Sequence, residues 1–407
     1  MLAPERRTRT DLLVALALVA TVLVAASVVW FRSDARGTTS ITWDEPVPGL
    51  TAAGSPPSAL EEAWRAPSAA STRPILAGAT VATADGGTVI GRDPASGKER
   101  WRYERDRPLC GAVESWGDVV SVYHDPRGCG QVTSLEAGSG ARGAQRSSDA
   151  DDPIRLVDAG SHLIAFGDTR LEMWRSDLVR TVEYGRVDAP VNPNAQPRSD
   201  CELLSAAASS IVLAVLEQCE GEAANRLTLL DPVPDDSQKP QEFASSVLPE
   251  APRGSGARIV SVSGDLTVVY LPPVGASGPR IGTYDEDGAL VDVHDLRSPA
   301  SDADTVAREL AGVLVWWTGT DTVGLSPTDT RPLWTVPGTL GEGDVVAGSL
   351  LLPVEGALLA VDPATGAVDR RVEVARDAAG EDPVSVTVAG ELVLEQRGDE
   401  VVALRRP

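Results

Sequence analysis

A nine-residue phrase, Asp93-Pro94-Ala95-Ser96-Gly97-Lys98-Glu99-Arg100-Trp101, returns as Asp362-Pro363-Ala364-Thr365-Gly366-Ala367-Val368-Asp369-Arg370. Each copy follows a short apolar run and leads into another. Asp, Pro and Gly at these offsets describe a tight turn between two strands. Self-similar β units of roughly 40 residues are the mark of a propeller blade. Short apolar runs separated by Gly, Asp and Pro turns fill residues 60–407, and no long amphipathic helix interrupts them.

Four strands per blade place seven blades at about 74–105, 109–146, 154–184, 200–247, 258–295, 305–336 and 343–374. An eighth has only three strands, 384–388, 392–395 and 400–404. Its outer strand is available near the other end of the chain. Leu60-Glu61-Glu62-Ala63-Trp64-Arg65 resembles Glu99-Arg100-Trp101-Arg102 and Pro332-Leu333-Trp334-Thr335. Inserting it would close the ring, and closure matters because an open ring leaves an unpaired edge and an uncovered blade face. The expected fold is therefore all-β, an eight-bladed propeller; seven blades is the alternative if the third or sixth is misread. Trp64, Trp101 and Trp334 fall on outer strands, where a large ring fills the widening wedge between blades. Trp174 falls on a third strand instead.

Ahead of the blades, Leu12 to Phe31 carries no charge and is long enough to cross a bilayer as a helix. Arg6, Arg7 and Arg9 precede it, which favours a cytoplasmic N-terminus. The expected layout is a cytoplasmic stub (1–11), a signal anchor (12–31), a flexible tether rich in Pro, Gly, Ser and Thr (32–58) and an extracytoplasmic propeller (59–407). A signal peptide cut after Ala26 is the alternative. Trp43 belongs either at the membrane interface or on the propeller.

The chain carries a net charge of −23, and residues 1–36 are on balance positive, so the remainder is more acidic still. Such a surface repels nucleic acid and anionic headgroups, which excludes nucleic acid as a partner.

The turn pattern, an apolar residue followed by Asp-Pro-Ala-Ser/Thr-Gly and then Trp, resembles the repeat of the pyrroloquinoline-quinone-like (PQQ-like) propellers. Residues 134–145 are a degenerate third copy. The whole chain is similar to membrane-anchored PQQ-like propeller repeat proteins of actinobacterial type. That resemblance implies eight blades. It implies function poorly, since many such proteins have no quinone and act as scaffolds or assembly factors. The quinone enzymes carry a disulfide between adjacent cysteines and a calcium site. This chain has no adjacent cysteines, so neither quinone nor calcium is carried over.

The four cysteines suit an oxidising exterior. Cys201 opens the inner strand of blade 4 and Cys219 ends its second, so a hairpin turning at Ser209-Ser210 sets them opposite each other. Cys110 and Cys129 occupy similar places in blade 2. The expected bonds are 110–129 and 201–219, each closing a loop worth about 3 kcal/mol in the chain-entropy account. Both lie at the end of the propeller that carries the connections between blades. The longest connection, Gly185 to Asp200, holds Arg186, Asn192, Asn194 and Arg198, and Arg127 sits in a neighbouring loop. This face is the expected partner-binding surface.

Other motifs fall short. Ser96-Gly97-Lys98 lacks the earlier glycine and following hydroxyl of a phosphate loop. Asp285-Glu286-Asp287-Gly288 lacks the spaced ligands of a calcium loop and suits a hairpin turn. His124, His162 and His294 have no partner at metal-ligand spacing, neither cysteine pair has the spacing of a thiolate metal site, and no Gly-x-Ser-x-Gly elbow occurs. No catalytic, metal or cofactor-binding residue is assigned. The expectation is a non-enzymatic scaffold for envelope or membrane proteins in cell-envelope assembly or growth. The alternatives are a ligand-sensing ectodomain and a quinone-dependent dehydrogenase.

Overall fold

The computed structural model describes residues 8–188, 190–301, 305–376 and 383–407. One helix, Arg9–Arg32, opens it, and a single 3-10 turn, Asp34–Gly37, follows. Thr8 caps the helix: its Oγ1 accepts from the Asp11 N–H at 3.2 Å, and the Thr8 N–H donates to the Asp11 carboxylate at 2.7 Å. The most apolar 18-residue window within Arg9–Phe31 has a mean hydropathy of 2.9, and none of that window is buried. The helix is long and apolar enough to cross a membrane.

The strands form eight antiparallel sheets, seven of four strands and one of five. Blades 1 to 7 occupy 75–105, 109–147, 155–185, 202–252, 258–295, 308–337 and 344–373. Blade 8 comprises Val384–Ala389, Leu392–Arg397 and Glu400–Arg405, completed on its outer edge by Glu61–Pro67. The register runs from Glu61 opposite Arg405 to Pro67 opposite Glu400. The ring is thus closed by the strand anticipated from the sequence, and the seven-bladed alternative does not hold.

The apolar core is divided into eight layers, each shared by two neighbouring blades. Between blades 1 and 2, Val89, Trp101 and Tyr103 meet Val119, Tyr123 and Leu135. Between blades 8 and 1, Leu394, Val401 and Ala403 meet Val81. The outer-strand tryptophans tie one blade to the next. Trp64 Nε1 donates to the Pro94 carbonyl at 2.7 Å, Trp101 Nε1 to Ala137 at 2.8 Å and Trp334 Nε1 to Pro363 at 2.8 Å. Each acceptor lies in the third-to-outer turn of the following blade. The glycine ending each turn, Gly97, Gly140 or Gly366, has a positive φ and lies flat on that indole, where a Cβ would stand 2.5–2.7 Å from its atoms. The recurring phrase is therefore the socket for the preceding blade's tryptophan.

Two expectations are corrected. Residues 32–58 are not a free tether. Thr38–Ile41 pairs antiparallel with Glu99–Arg105 as a fifth strand of blade 1. Beyond it, the Trp43 N–H donates to the Ser139 carbonyl at 2.9 Å and its ring packs on the layer between blades 1 and 2. Leu50 joins the layer between blades 8 and 1, and Ala53 that between blades 7 and 8. Proline and isolated apolar residues here mark an extended segment held by the propeller. Second, Cys129 opens the third strand of blade 2, Gly128–Glu136, so the Cys110 bond passes from first strand to third across the end of Asp118–Asp125.

The strand directions define two faces. The upper face carries the connections between blades and the loops joining second to third strands. The lower face carries the first-to-second hairpins and the Asp-Pro-Ala-Ser/Thr-Gly turns. Thr38 lies beside Arg105, at the upper end of blade 1's outer strand. The helix therefore joins the propeller at its upper rim, through residues 33–37 alone.

Candidate functional site

Both cysteine pairs lie on the upper face. Cys110 is bonded to Cys129 and Cys201 to Cys219, with Cα separations of 5.9 and 4.3 Å. Asp152 lies close to the first pair and Glu217 to the second. The sulfurs are bonded to each other and offer no thiolate to a metal.

The long connection leaves the outer strand of blade 3, Arg180–Gly185, at Gly185 (φ 85°), and Pro190, Pro193 and Pro197 prevent it from pairing as a further strand. Its side chains fasten it. Arg198 Nε donates to Glu217 at 2.9 Å and to the Tyr184 hydroxyl oxygen at 3.2 Å, and Nη2 donates to Glu242. Glu217 is fully buried, and it also accepts from Tyr184 and Thr228. Arg186 donates to Asp188 at 2.6 Å, Thr169 at 3.0 Å and Asp151 at 3.1 Å. Gln196 Nε2 donates to the Glu183 carbonyl at 3.0 Å, and the Glu183 N–H donates to Ser237 at 2.9 Å. Residues 231–241 of blade 4 thus lean across the edge of blade 3.

These segments bound a cleft of about 690 Å³ along the outer edge of blade 3. Its lining includes residues 145–149 of blade 2, Pro190, Val191, Asn192, Ala195 and Gln196 of the long connection, and Ser237-Gln238 of blade 4. Arg146, Arg170, Arg180 and Glu183 of this lining belong to an ion network with the buried Glu172. Arg170, 5 % exposed, donates to Glu172 at 2.8 Å, Glu183 at 2.5 Å and the carbonyls of Asp149 and Arg186. Arg180 reaches Glu183 at 2.8 Å and Glu172 at 3.2 Å, and Arg146 reaches Glu172 at 2.8 Å. Burial alone would raise the Glu172 carboxyl; the charges and hydrogen bonds of Arg146, Arg170 and Trp174 outweigh it and hold it at about 2. Two of the lining residues each hold one buried side-chain atom without a hydrogen-bond partner among the described residues, Arg180 Nε and Gln196 Oε1.

Of the five residues expected on this face, Arg127 and Asn192 line the cleft together. Arg127 is 53 % exposed. It donates to Ser147 at 2.7 Å, and its carboxylate neighbours, Asp125 and Asp149, stand off at 3.6 Å. Asn192 donates to Asp236 at 3.4 Å. Arg186 and Arg198 are spent on pinning the loop, and Asn194 is exposed outside the cleft with φ 57°. Arg146, Arg170, Arg180 and Gln196 were not anticipated. The alternation Arg170-Leu171-Glu172 on a buried strand was the one available signal, because charges there must pair with one another.

Around the central axis, Arg73, Glu114, Asp158, Arg308, Glu342 and Asp344 interact electrostatically. Arg73 and Glu342 approach to 3.8 Å. The channel wall therefore mixes both signs of charge.

The described geometry defines an eight-bladed, all-β propeller with an N-terminal apolar helix and a polar cleft along the outer edge of blade 3. BamB from Moraxella catarrhalis shares this fold, with a TM-score of 0.52 at 13 % identity, over 85 % of this chain and 99 % of that one. The dihydro-heme d1 dehydrogenase NirN, in complex with DHE, aligns at a TM-score of 0.49 and 13 % identity, over 78 % of this chain and 68 % of NirN. No family model and no curated protein sequence matches the chain.

Proposed function

We propose that this chain is a non-enzymatic scaffold, tethered by Arg9–Arg32 to the outer side of the cytoplasmic membrane and binding protein partners in assembly or growth of the cell envelope. The observation that carries the reading is the join between helix and propeller. A span long enough for a bilayer runs within five residues into a strand of blade 1. A closed ring held this close to a lipid surface suits the capture of other membrane or wall proteins. The two disulfides favour an oxidising compartment, and the arginines before the helix favour a cytoplasmic N-terminus. The likeness to BamB supports the fold of such a scaffold. The Asp-Pro-Ala-Ser/Thr-Gly sockets favour membership of the PQQ-like propellers.

Photo-cross-linking from residues across the propeller surface in intact cells tests the reading. Adducts to envelope or membrane proteins are expected. Labelling confined to cytoplasmic proteins would overturn it, and quinone absorbance in the purified protein would overturn its non-enzymatic part.

A further inference from the structure

We propose that the lower ends of blades 1 and 8 form a docking groove for a polyproline II chain, that residues 46–57 are its resting occupant, and that lifting this strap turns a short membrane tether into a long one. The last part rests on the reading of Arg9–Arg32 as a membrane anchor.

The occupant is seen in place. Beyond Ile41 the chain crosses the lower face from blade 2 to blade 7. Residues 46–53 run without a bend, and prolines stand at 46, 48, 56 and 57. Val47, Leu50, Ala53 and Pro56 are half-buried, while the residues between them are exposed. A period of three is that of polyproline II, which proline favours and which makes no internal hydrogen bonds. Val47 lies beside Gly138 of blade 2. Leu50 packs on the layer between blades 8 and 1, which also takes Trp64, Leu76 and Leu392, and Ala53 packs on that between blades 7 and 8. Gly390, in the first hairpin of blade 8, lets the backbone come close: a Cβ there would stand 2.5 Å from the Thr51 carbonyl oxygen. Arg370 Nη1 donates to the carbonyls of Pro56 and Pro57 at 3.4 Å each, and Arg406 donates to that of Ser55. Small apolar side chains at every third position, with donors aimed at carbonyls, are how grooves read such chains.

The hold is light. Among the described residues, 42–60 make one backbone–backbone hydrogen bond, Trp43 to Ser139, and Pro57 alone is buried. Segments with few buried apolar contacts open at low free energy. The closing strand Glu61–Pro67 is held separately, by its ladder with Glu400–Arg405 and by the Trp64 bond to Pro94, so the ring stays shut when the strap lifts. If Thr38–Ile41 lifts with it, the tether becomes residues 33–60. Those 28 residues span about 95 Å at full stretch and about 30 Å as a coil. They also attach at the lower end of blade 8 instead of the upper rim of blade 1. Release therefore frees the propeller to turn its upper face away from the lipid.

The first test is binding in trans. A tethered segment meets its groove at millimolar effective concentration, so a strap that stays docked needs a Kd of about 1 mM or tighter. A synthetic peptide of residues 42–58 should bind at that strength to full-length protein in nanodiscs whose residues 46–57 are replaced by Gly and Ser. It should bind the parent at least tenfold more weakly, and Leu50→Asp in the peptide should cost tenfold or more. No binding to the replaced variant, or equal binding to both proteins, would overturn the groove. This assay needs neither membrane insertion nor a partner, so its failure would leave the scaffold reading standing. The second test is reach. In the full-length protein, Trp43→Asp with Leu50→Asp should at least halve the difference in quenching by headgroup-labelled lipid between dyes at Arg107 and Ala364, while Leu50→Met should keep it. An unchanged difference in the double variant would overturn the extendable tether.

Discussion

At the scale of single residues, the blades are locked by a tryptophan and a glycine acting together. Trp334 donates to Pro363 while Gly366 lies on its ring. Trp334→Phe keeps most of the packing and loses the donor, so it should destabilise by about 1 kcal/mol in denaturant unfolding. Gly366→Ala should destabilise by about 2 kcal/mol or more, because φ is 71° and the new methyl would meet the Trp334 side chain at 2.7 Å. Glu172 sets a pH dependence. Its carboxyl falls from the ordinary 4.5 to about 2 in the folded protein. A depressed carboxyl stabilises the fold above the unfolded value, and that contribution is lost as pH drops from about 4.5 toward 2. Glu172→Gln should remove about 3–5 kcal/mol at neutral pH, since it leaves Arg146, Arg170 and Arg180 short of a buried counter-charge. It should also flatten the acid limb of a stability–pH curve between those two values.

Among the elements, the Cys201–Cys219 bond faces a single hairpin, Glu202–Ala208 with Leu213–Gln218. Replacing both cysteines by serine should lower unfolding stability by about 3 kcal/mol, read as a shift in denaturant midpoint without a change of fold. What the sequence disclosed at this scale follows from what each element is made of. Blade strands are apolar runs bounded by Gly and Asp, and the closing strand carries the Trp64 signature of its equivalents, so all were readable. Thr38–Ile41 was not, because it joins blade 1 through backbone hydrogen bonds and three of its four residues are exposed. Nor could the sequence separate Arg127, which remains accessible, from Arg198, which is held by Glu217 and Glu242 far along the chain. Pairing across blades leaves no local pattern. The cleft eluded sequence reading for the same reason, being assembled from three blades and two connections.

For the whole molecule, the join between helix and propeller fixes which face looks toward the lipid under the proposed topology. Five residues reach about 17 Å at most, so the upper rim of blade 1 must stay near the bilayer. A fluorophore at Arg107, on the upper face, should be quenched by headgroup-labelled lipid far more than one at Ala364, on the lower face. Lengthening the stretch 33–37 with Gly and Ser should reduce the difference, and equal quenching in the parent would contradict the arrangement. The closing strand has a further consequence. Arg65 and Glu400 lie side by side, yet 335 positions separate them along the chain. During synthesis Glu61–Pro67 is made long before its partner Glu400–Arg405 and must wait for it. Until then its edge is open to mispairing. Such distant pairing makes folding slow, so the ring cannot close before Glu400–Arg405 has been made and has found Glu61–Pro67.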